Sequence, residues 1–297
     1  MFSRKEIVAK YRALLQEELA IDHPAQGWID LLPPTLCRAL ILQQGIKTAI
    51  GSLEHAFVGT SNSDLREVFG IKVSVGNFNS RIFNSLGLEG HLPLEVPGMC
   101  SWTAAALETL KELDHEALSF VQQWCSMILW VAPNAEDKPE TVLTSVAVPT
   151  LPHCTILSVK SLRHIPADHV YEGASTYALA ENIFHEALHQ QLSACLVFGA
   201  KIMSDAEDAK LQPIHIPWRN ASWEIDRVIH AAWVYTNLQR LRKRALSMPD
   251  TFGLELDIVN NAEQESQPKL AYLRSSLQSA MKSLPRSSSN LIEQILA

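Results

Sequence analysis

The segment Phe184-His185-Glu186-Ala187-Leu188-His189 reads H-E-x-x-H. Two imidazoles four residues apart on a helix point the same way and can grip one divalent metal ion. The glutamate between them is placed to touch whatever the metal binds. The surrounding stretch, Ser175 to about Phe198, holds no Pro and no Gly and is rich in Ala, Leu, Glu and Gln, all good helix formers. Ser175 or Thr176 is suited to cap its start and Gly199 to end it. Leu179, Ile183, Phe184, Leu188, Leu192 and Leu196 do not fit one narrow stripe, which predicts a buried helix. Buried His and Glu side chains need polar partners, and a metal ion supplies one. The plain structural alternative is a pair of hydrogen-bonded core histidines.

Two ligands from one helix leave a site short of a third. Downstream, Asn220 or Ser222 is placed to cap a second helix running to about Leu246. At about 100° per residue, His230 shares a face of that helix with Asp226 and Arg227, while Glu224 falls well round the other side. This phase favours His230 over Glu224 as third ligand, and the two exclude each other on an undistorted helix.

These residues have to be positioned by the rest of the chain. A 47% hydrophobic content and 19% charged content mark an ordinary globular protein with ample core. The 297 residues are expected to form a single domain: a mostly helical part (1–125), a metal-binding core (126–250) and a helical C-terminal part (251–297). A net charge of −7 argues against a general nucleic-acid binder. The basic run Arg240-Leu241-Arg242-Lys243-Arg244 reads as a solvated helix end, where cations suit the dipole. Five scattered cysteines with no C-x-x-C pair (Cys37, Cys100, Cys125, Cys154 and Cys195) fit reduced, mostly buried thiols in a cytoplasmic protein. No signal-peptide core and no stretch approaching a membrane span is visible.

Helix leads along the chain. Ser3 to Ala20, Thr35 to Val58 and Trp102 to Trp124 carry helical patterns, the last with Glu108, Glu112, Asp114 and Glu116 as a solvated acidic side. Residues 70–97, rich in Gly, Asn and Ser, read as turns and irregular structure. Ser126–Ala132 reads as a buried strand, and Val142–Val148 with Thr155–Val159 as a hairpin or two paired strands. Asn260 to Ala297 is expected to be mostly helical. The expected class is therefore α+β, mainly helical, with a small β-sheet preceding a zincin-like H-E-x-x-H helix and a second ligand-bearing helix. The zincin comparison is a fold-level analogy.

Pro217-Trp218-Arg219 stands some thirty residues after H-E-x-x-H, and His230 follows eleven residues past Arg219. With Val148-Pro149-Thr150-Leu151-Pro152-His153 ahead of the motif, this resembles the H-E-x-x-H-type peptide-modifying proteins that accompany ribosomally made natural-product peptides. Those proteins are regarded as iron- and 2-oxoglutarate-dependent peptide β-hydroxylases. The likeness runs from about Val142 to Leu246. It departs from the family where a Pro-Arg-Pro stretch is expected, since Ala221-Ser222-Trp223-Glu224 stands there.

The resemblance implies a cytoplasmic oxidoreductase that hydroxylates a side chain of a precursor peptide. It implies Fe(II) held by His185, His189 and His230, with Zn as a substitute metal, and 2-oxoglutarate as co-substrate. Imidazole suits Fe(II), and a two-pronged guanidinium suits the distal carboxylate, which points to Arg219 first and Arg227 second. A surface salt bridge, or stacking on Trp218, is the plain reading of Arg219. Glu186 becomes an outer group that orients a ligand, a water or the peptide. Glu181, one turn before His185, does the same for a ring nitrogen or is a helix-surface charge. Trp223 and Trp233 line a pocket or are core. Two rivals stand beside this. In a zinc metallopeptidase Glu186 is the general base and Glu224 or Asp226 the third ligand. In a non-catalytic peptide-binding protein the metal is structural, with Asp226 or His215 closing a four-ligand site.

Overall fold

The computed structural model describes residues 65–74, 90–93, 98–134, 143–147, 153–166, 169–198, 213–248, 256–282, 289 and 292–293. Within them the chain is mixed α/β, with helix outweighing strand. The expected helices Ser3–Ala20 and Thr35–Val58 lie outside the described residues, as do Cys37 and Gly199. The chain divides into two compact units, and the division falls between Gln191 and Leu192, inside the motif helix.

The first unit is built on a six-stranded mixed sheet. Its strands are β1 (Leu65–Val68), β2 (Ile71–Ser74), β3 (His91–Pro93), β4 (Met127–Pro133), β5 (Ser145–Ala147) and β6 (Cys154–Ser158). The spatial order is β1-β2-β4-β6-β5, with β3 also paired to β4. Strands β2, β4 and β6 run parallel, and β1, β3 and β5 are antiparallel to their partners. In β4, the consecutive residues Ile128, Leu129, Trp130 and Val131 are all buried. Burial on both faces is why that segment reads as an unbroken apolar run rather than an alternating one. Its Trp130 indole N–H donates to Thr103 Oγ1 at 3.3 Å.

Two sequence expectations change here. Residues 70–97 were expected to be irregular, yet they supply β2 and β3. Phe69 (φ 51°) and Gly70 (φ 77°) make the tight turn that joins β1 to β2. Gly tolerates the left-handed conformation there without steric cost. Trp102–Trp124 is not one helix but two, α1 (Gly98–Leu113) and α2 (His115–Trp124). The break is at Asp114, whose backbone is extended and whose carboxylate accepts the Glu116 N–H at 2.9 Å, an N-cap that starts α2. The acidic side is solvated as expected, with Glu108 paired to Lys111 at 2.8 Å.

Strands β5 and β6 form the expected antiparallel pair, in register Ser145↔Leu157, Val146↔Ile156 and Ala147↔Thr155. A two-stranded ribbon, β7 (His164–Ile165) and β8 (His169–Val170), leads into the motif helix α3 (Thr176–Phe198). Ser175 caps it, its Oγ accepting the Ala178 N–H at 3.2 Å. Phe184 meets Phe120 of α2 edge-on at 5.7 Å.

Cys100, Cys125 and Cys154 are free and buried. Burial pushes the Cys125 thiol up to about 11, and burial followed by the neighbouring Cys125 raises that of Cys154. The thiolate is the reactive form, so both are inert in the native state. Peptide mapping after iodoacetamide treatment at pH 8 is expected to find Cys125 and Cys154 unmodified, and modified once denaturant is added. Because the folded pKa of Cys125 lies above its unfolded value of 9.0, stability is lost as pH climbs from 9 towards 11.

The second unit contains a hairpin that sequence reading missed. Strands β9 (Ile214–Ile216) and β10 (Ala221–Trp223) pair antiparallel around the 3-10 turn Pro217–Arg219. Asn220 completes the reversal in the left-handed region (φ 43°), which Asn tolerates better than most residues. So neither Asn220 nor Ser222 caps the next helix. That helix, α4 (Ile225–Leu246), starts at Glu224, which offers no side-chain cap bond. Its Val228, Ile229 and Ala232 form a core with Leu270, Leu273 and Leu277 of α5 (Leu256–Met281). Arg240, Lys243 and Arg244 are exposed, as the basic run predicted. Arg242 is not: it is wholly buried and donates to the Ala262 carbonyl at 3.1 Å. Its helical phase, shared with Leu238 and Ala245, turns it inward. No helix among the described residues is long and apolar enough to cross a membrane.

Candidate functional site

Helix α3 is apolar, as predicted, but two polar stripes run along it. One is Tyr177, Glu181, His185 and His189; the other is Asn182, Glu186 and Gln190. Steps of four place each set in a row. Ala178, Leu179, Ala180, Ile183, Phe184, Ala187 and Leu188 fill the remaining surface and are buried.

His185 and His189 are half-buried and face each other, Nε2 to Nε2, at 2.8 Å, with ring centroids 4.7 Å apart. A hydrogen bond at this distance needs one donor and one acceptor, so one ring carries its proton on Nε2 in the metal-free chain. Two nitrogens on one metal at about 2.1 Å, at a right angle, stand about 3 Å apart. The pair therefore lies within a few tenths of an ångström of ligating separation, and the residues fit a divalent ion. Ligation moves the shared proton off that edge, to Nδ1 or to solvent.

The carboxyl groups on α3 are both deeply buried. Glu181 is fully enclosed, its Oε2 accepting the Tyr177 hydroxyl at 2.9 Å, so it is no helix-surface charge. Glu186 reaches strand β5. Ser145 Oγ donates to its Oε1 at 2.6 Å and the Ala147 backbone adds a second bond. Burial pushes this carboxyl up to about 7, and those two bonds from β5 oppose the shift without cancelling it. Ser145 Oγ also lies 3.2 Å from Asn182 Oδ1. When Glu186 is protonated it can donate to Ser145, which then donates to Asn182, so one proton position satisfies the whole chain of oxygens.

Asn182 and Gln190 are the site residues that sequence reading did not find. Asn182 Nδ2 faces the carbonyls of Ser161 (3.1 Å), His164 (2.6 Å) and Ala178 (2.8 Å). Gln190 Oε1 accepts the His153 N–H at 3.1 Å, and its Nε2 donates to the Cys154 carbonyl at 2.9 Å. His153 is itself buried, in the left-handed region (φ 58°), with its ring stacked on Trp124 at 5.6 Å. The signal was present in the sequence as polar residues at 182, 186 and 190, spaced four apart along a largely apolar helix. Within the first unit, no third His, Cys, Asp or Glu among the described residues joins His185 and His189 in a metal-holding group.

The remaining candidates belong to the second unit. His230 is half-buried on α4, one turn after Asp226. Glu224 is exposed and lies just outside the helix, at its N-cap. Arg219 ends the Pro217–Arg219 turn and is exposed. Arg227 is exposed too, with its guanidinium over the Trp223 ring at 4.4 Å. Trp218, Trp223 and Trp233 are half-buried against the core of this unit, and Trp218 meets Tyr272 edge-on at 5.6 Å. His215 is exposed on β9, its carbonyl accepting the Tyr272 hydroxyl at 2.7 Å. The chain matches no model of a known protein family and no curated protein sequence.

Proposed function

We propose that the chain is an Fe(II)- and 2-oxoglutarate-dependent hydroxylase acting on the β-carbon of a side chain in a ribosomally made peptide. The observation that carries this is the His185–His189 pair, with its two Nε2 atoms 2.8 Å apart on one buried helix. His185, His189 and His230 hold the metal in this reading, on a zincin-like arrangement of sheet and motif helix. When bound, Fe(II) would let O2, the oxidant, hydroxylate an unactivated C–H bond as 2-oxoglutarate is decarboxylated, one oxygen atom going to the peptide and the other to succinate as CO2 leaves, chemistry that side chains lack. The protein residues bind and orient. Arg219, or Arg227 steadied by its stack on Trp223, holds the distal carboxylate of 2-oxoglutarate through two parallel N–H donors. Glu186, already engaged by Ser145 and Ala147, anchors the helix between its two imidazoles.

A second reading has one observation in its favour. A buried carboxyl pushed up to about 7 is poised as a general base at neutral pH. That is the role Glu186 would take in a zinc metallopeptidase, whose hydrolysis has no use for 2-oxoglutarate.

Anaerobic titration separates the two. Protein reconstituted with Fe(II) is expected to develop a visible charge-transfer band on adding 2-oxoglutarate. The band should need at least about tenfold more 2-oxoglutarate in Arg219→Ala, and stay unchanged in Arg227→Ala, or the reverse if Arg227 is the anchor. No band, together with tight zinc binding and peptide cleavage lost in Glu186→Gln, establishes the peptidase instead.

A further inference from the structure

The polar row Asn182, Glu186 and Gln190 does something that a stabilising contact alone does not require. Asn182 and Gln190 are almost wholly buried, and they bond to main-chain groups rather than to flexible side chains. Gln190 holds the entry to β6 through two bonds of opposite sense, accepting from residue 153 and donating to residue 154. Two turns earlier, Asn182 holds the segments at Ser161 and His164, and through Ser145 it reaches β5. The two anchors are about 12 Å apart along the helix axis.

A helix packed only through Ala, Leu and Ile can roll, because apolar contact is non-directional. A roll of about 20° moves an imidazole tip, about 6 Å from the axis, by about 2 Å. Metal ligands tolerate only about 0.5 Å. The His185–His189 pair lies about 80° round the helix from the polar row, so any roll acts on it directly. Two anchors, each bonded to main chain at one end of the row, remove that freedom.

We propose that Asn182 and Gln190 are positioning residues that fix the roll of the motif helix and thereby hold His185 and His189 in ligating geometry. The proposal rests on the metal-binding reading for its purpose, though the lock itself belongs to the metal-free chain. It is tested with Gln190→Met, which keeps length and loses both bonds, and with Gln190→Glu, which keeps the acceptor for the His153 N–H. Two readouts are taken on the full chain. The first is the through-hydrogen-bond coupling between the two Nε2 atoms in protein carrying 15N-labelled histidine, without metal. The second is Co(II) affinity and its visible spectrum.

Wild-type protein is expected to show the coupling. Gln190→Met, still folded by circular dichroism, is expected to lose it and to bind Co(II) about 10–100-fold more weakly with an altered spectrum, the range typical of lost outer partners. Gln190→Glu is expected to retain part of both. Unchanged coupling and unchanged Co(II) affinity in Gln190→Met overturn the proposal. So does an absence of coupling in the wild type. If Gln190→Met fails to fold, Gln190→Glu decides on the same two readouts. Should Co(II) bind equally well to wild type and to His185→Ala/His189→Ala while the coupling behaves as expected, the metal reading has failed and the lock stands.

Discussion

His185→Ala and His189→Ala are each expected to lower Fe(II) or Co(II) affinity by more than the roughly 10–100-fold that loss of an outer partner costs, and together to abolish binding. The reason is that these two nitrogens are fixed by one rigid element at a spacing close to that of a shared cation. The fold should survive. Both rings are half-buried, and each imidazole's bond to the other contributes only about 0.5–1.5 kcal/mol net. Thermal unfolding without metal should therefore move little while metal affinity collapses, as a cofactor site predicts. A structural metal predicts a different result, because binding free energy there is folding free energy. Chelation would then melt the wild-type protein to the stability of the double variant. Equal metal affinity in wild type and double variant removes the histidine pair from any metal site.

The motif helix was legible because its signals agree. Composition favoured helix, Ser175 stood where a cap belongs, and the apolar residues surrounded it, which is what a helix enclosed by sheet and neighbours looks like. Strands β4, β5 and β6 were legible for the same kind of reason, being short β-branched and apolar runs bounded by Pro and polar residues. The Ile71–Ser74 strand was hidden by its setting, since a four-residue run beside Gly-rich sequence carries almost no periodic signal. The break at Asp114 was hidden because a polar residue between two amphipathic helices looks like one more solvated position until its carboxylate caps the second. Hairpin β9–β10 was misread because Asn and Ser serve both turns and caps, and single-sequence pattern does not choose between them.

Partners chosen by tertiary structure were the least legible. Nothing near Glu186 in sequence names Ser145, forty-one residues away, yet Ser145 holds its carboxyl. Gln190 likewise bonds to main chain thirty-six and thirty-seven residues distant. The requirement was readable, since buried polar groups must be satisfied. Which strand satisfied them depended on the register of β5 and β6 under the helix, a property of the folded sheet.

Glu186→Gln is expected to stabilise the metal-free protein at pH 8 and to leave it unchanged near pH 4. The carboxyl stands at about 7 in the folded chain against an ordinary value of 4.5. Below pH 4.5 it is protonated in folded and unfolded chains alike, and burial costs nothing extra. As pH rises from 4.5 to 7, the unfolded chain gives up the proton and the folded chain keeps it. The unfolded state then binds fewer protons, and stability falls with pH. Over that window the loss is about 3 kcal/mol, and it persists above pH 7. A glutamine at 186 has no charge to desolvate. Its carbonyl can accept from Ser145 or Ala147, and its amide can donate to Ser145 Oγ, freeing that hydroxyl to donate to Asn182. For a chain of this size the gain corresponds to a rise in melting temperature of about 5–12 °C at pH 8, seen by calorimetry in chelator. If the variant instead loses stability between pH 4.5 and 7 as steeply as the wild type, the buried carboxyl is not the source.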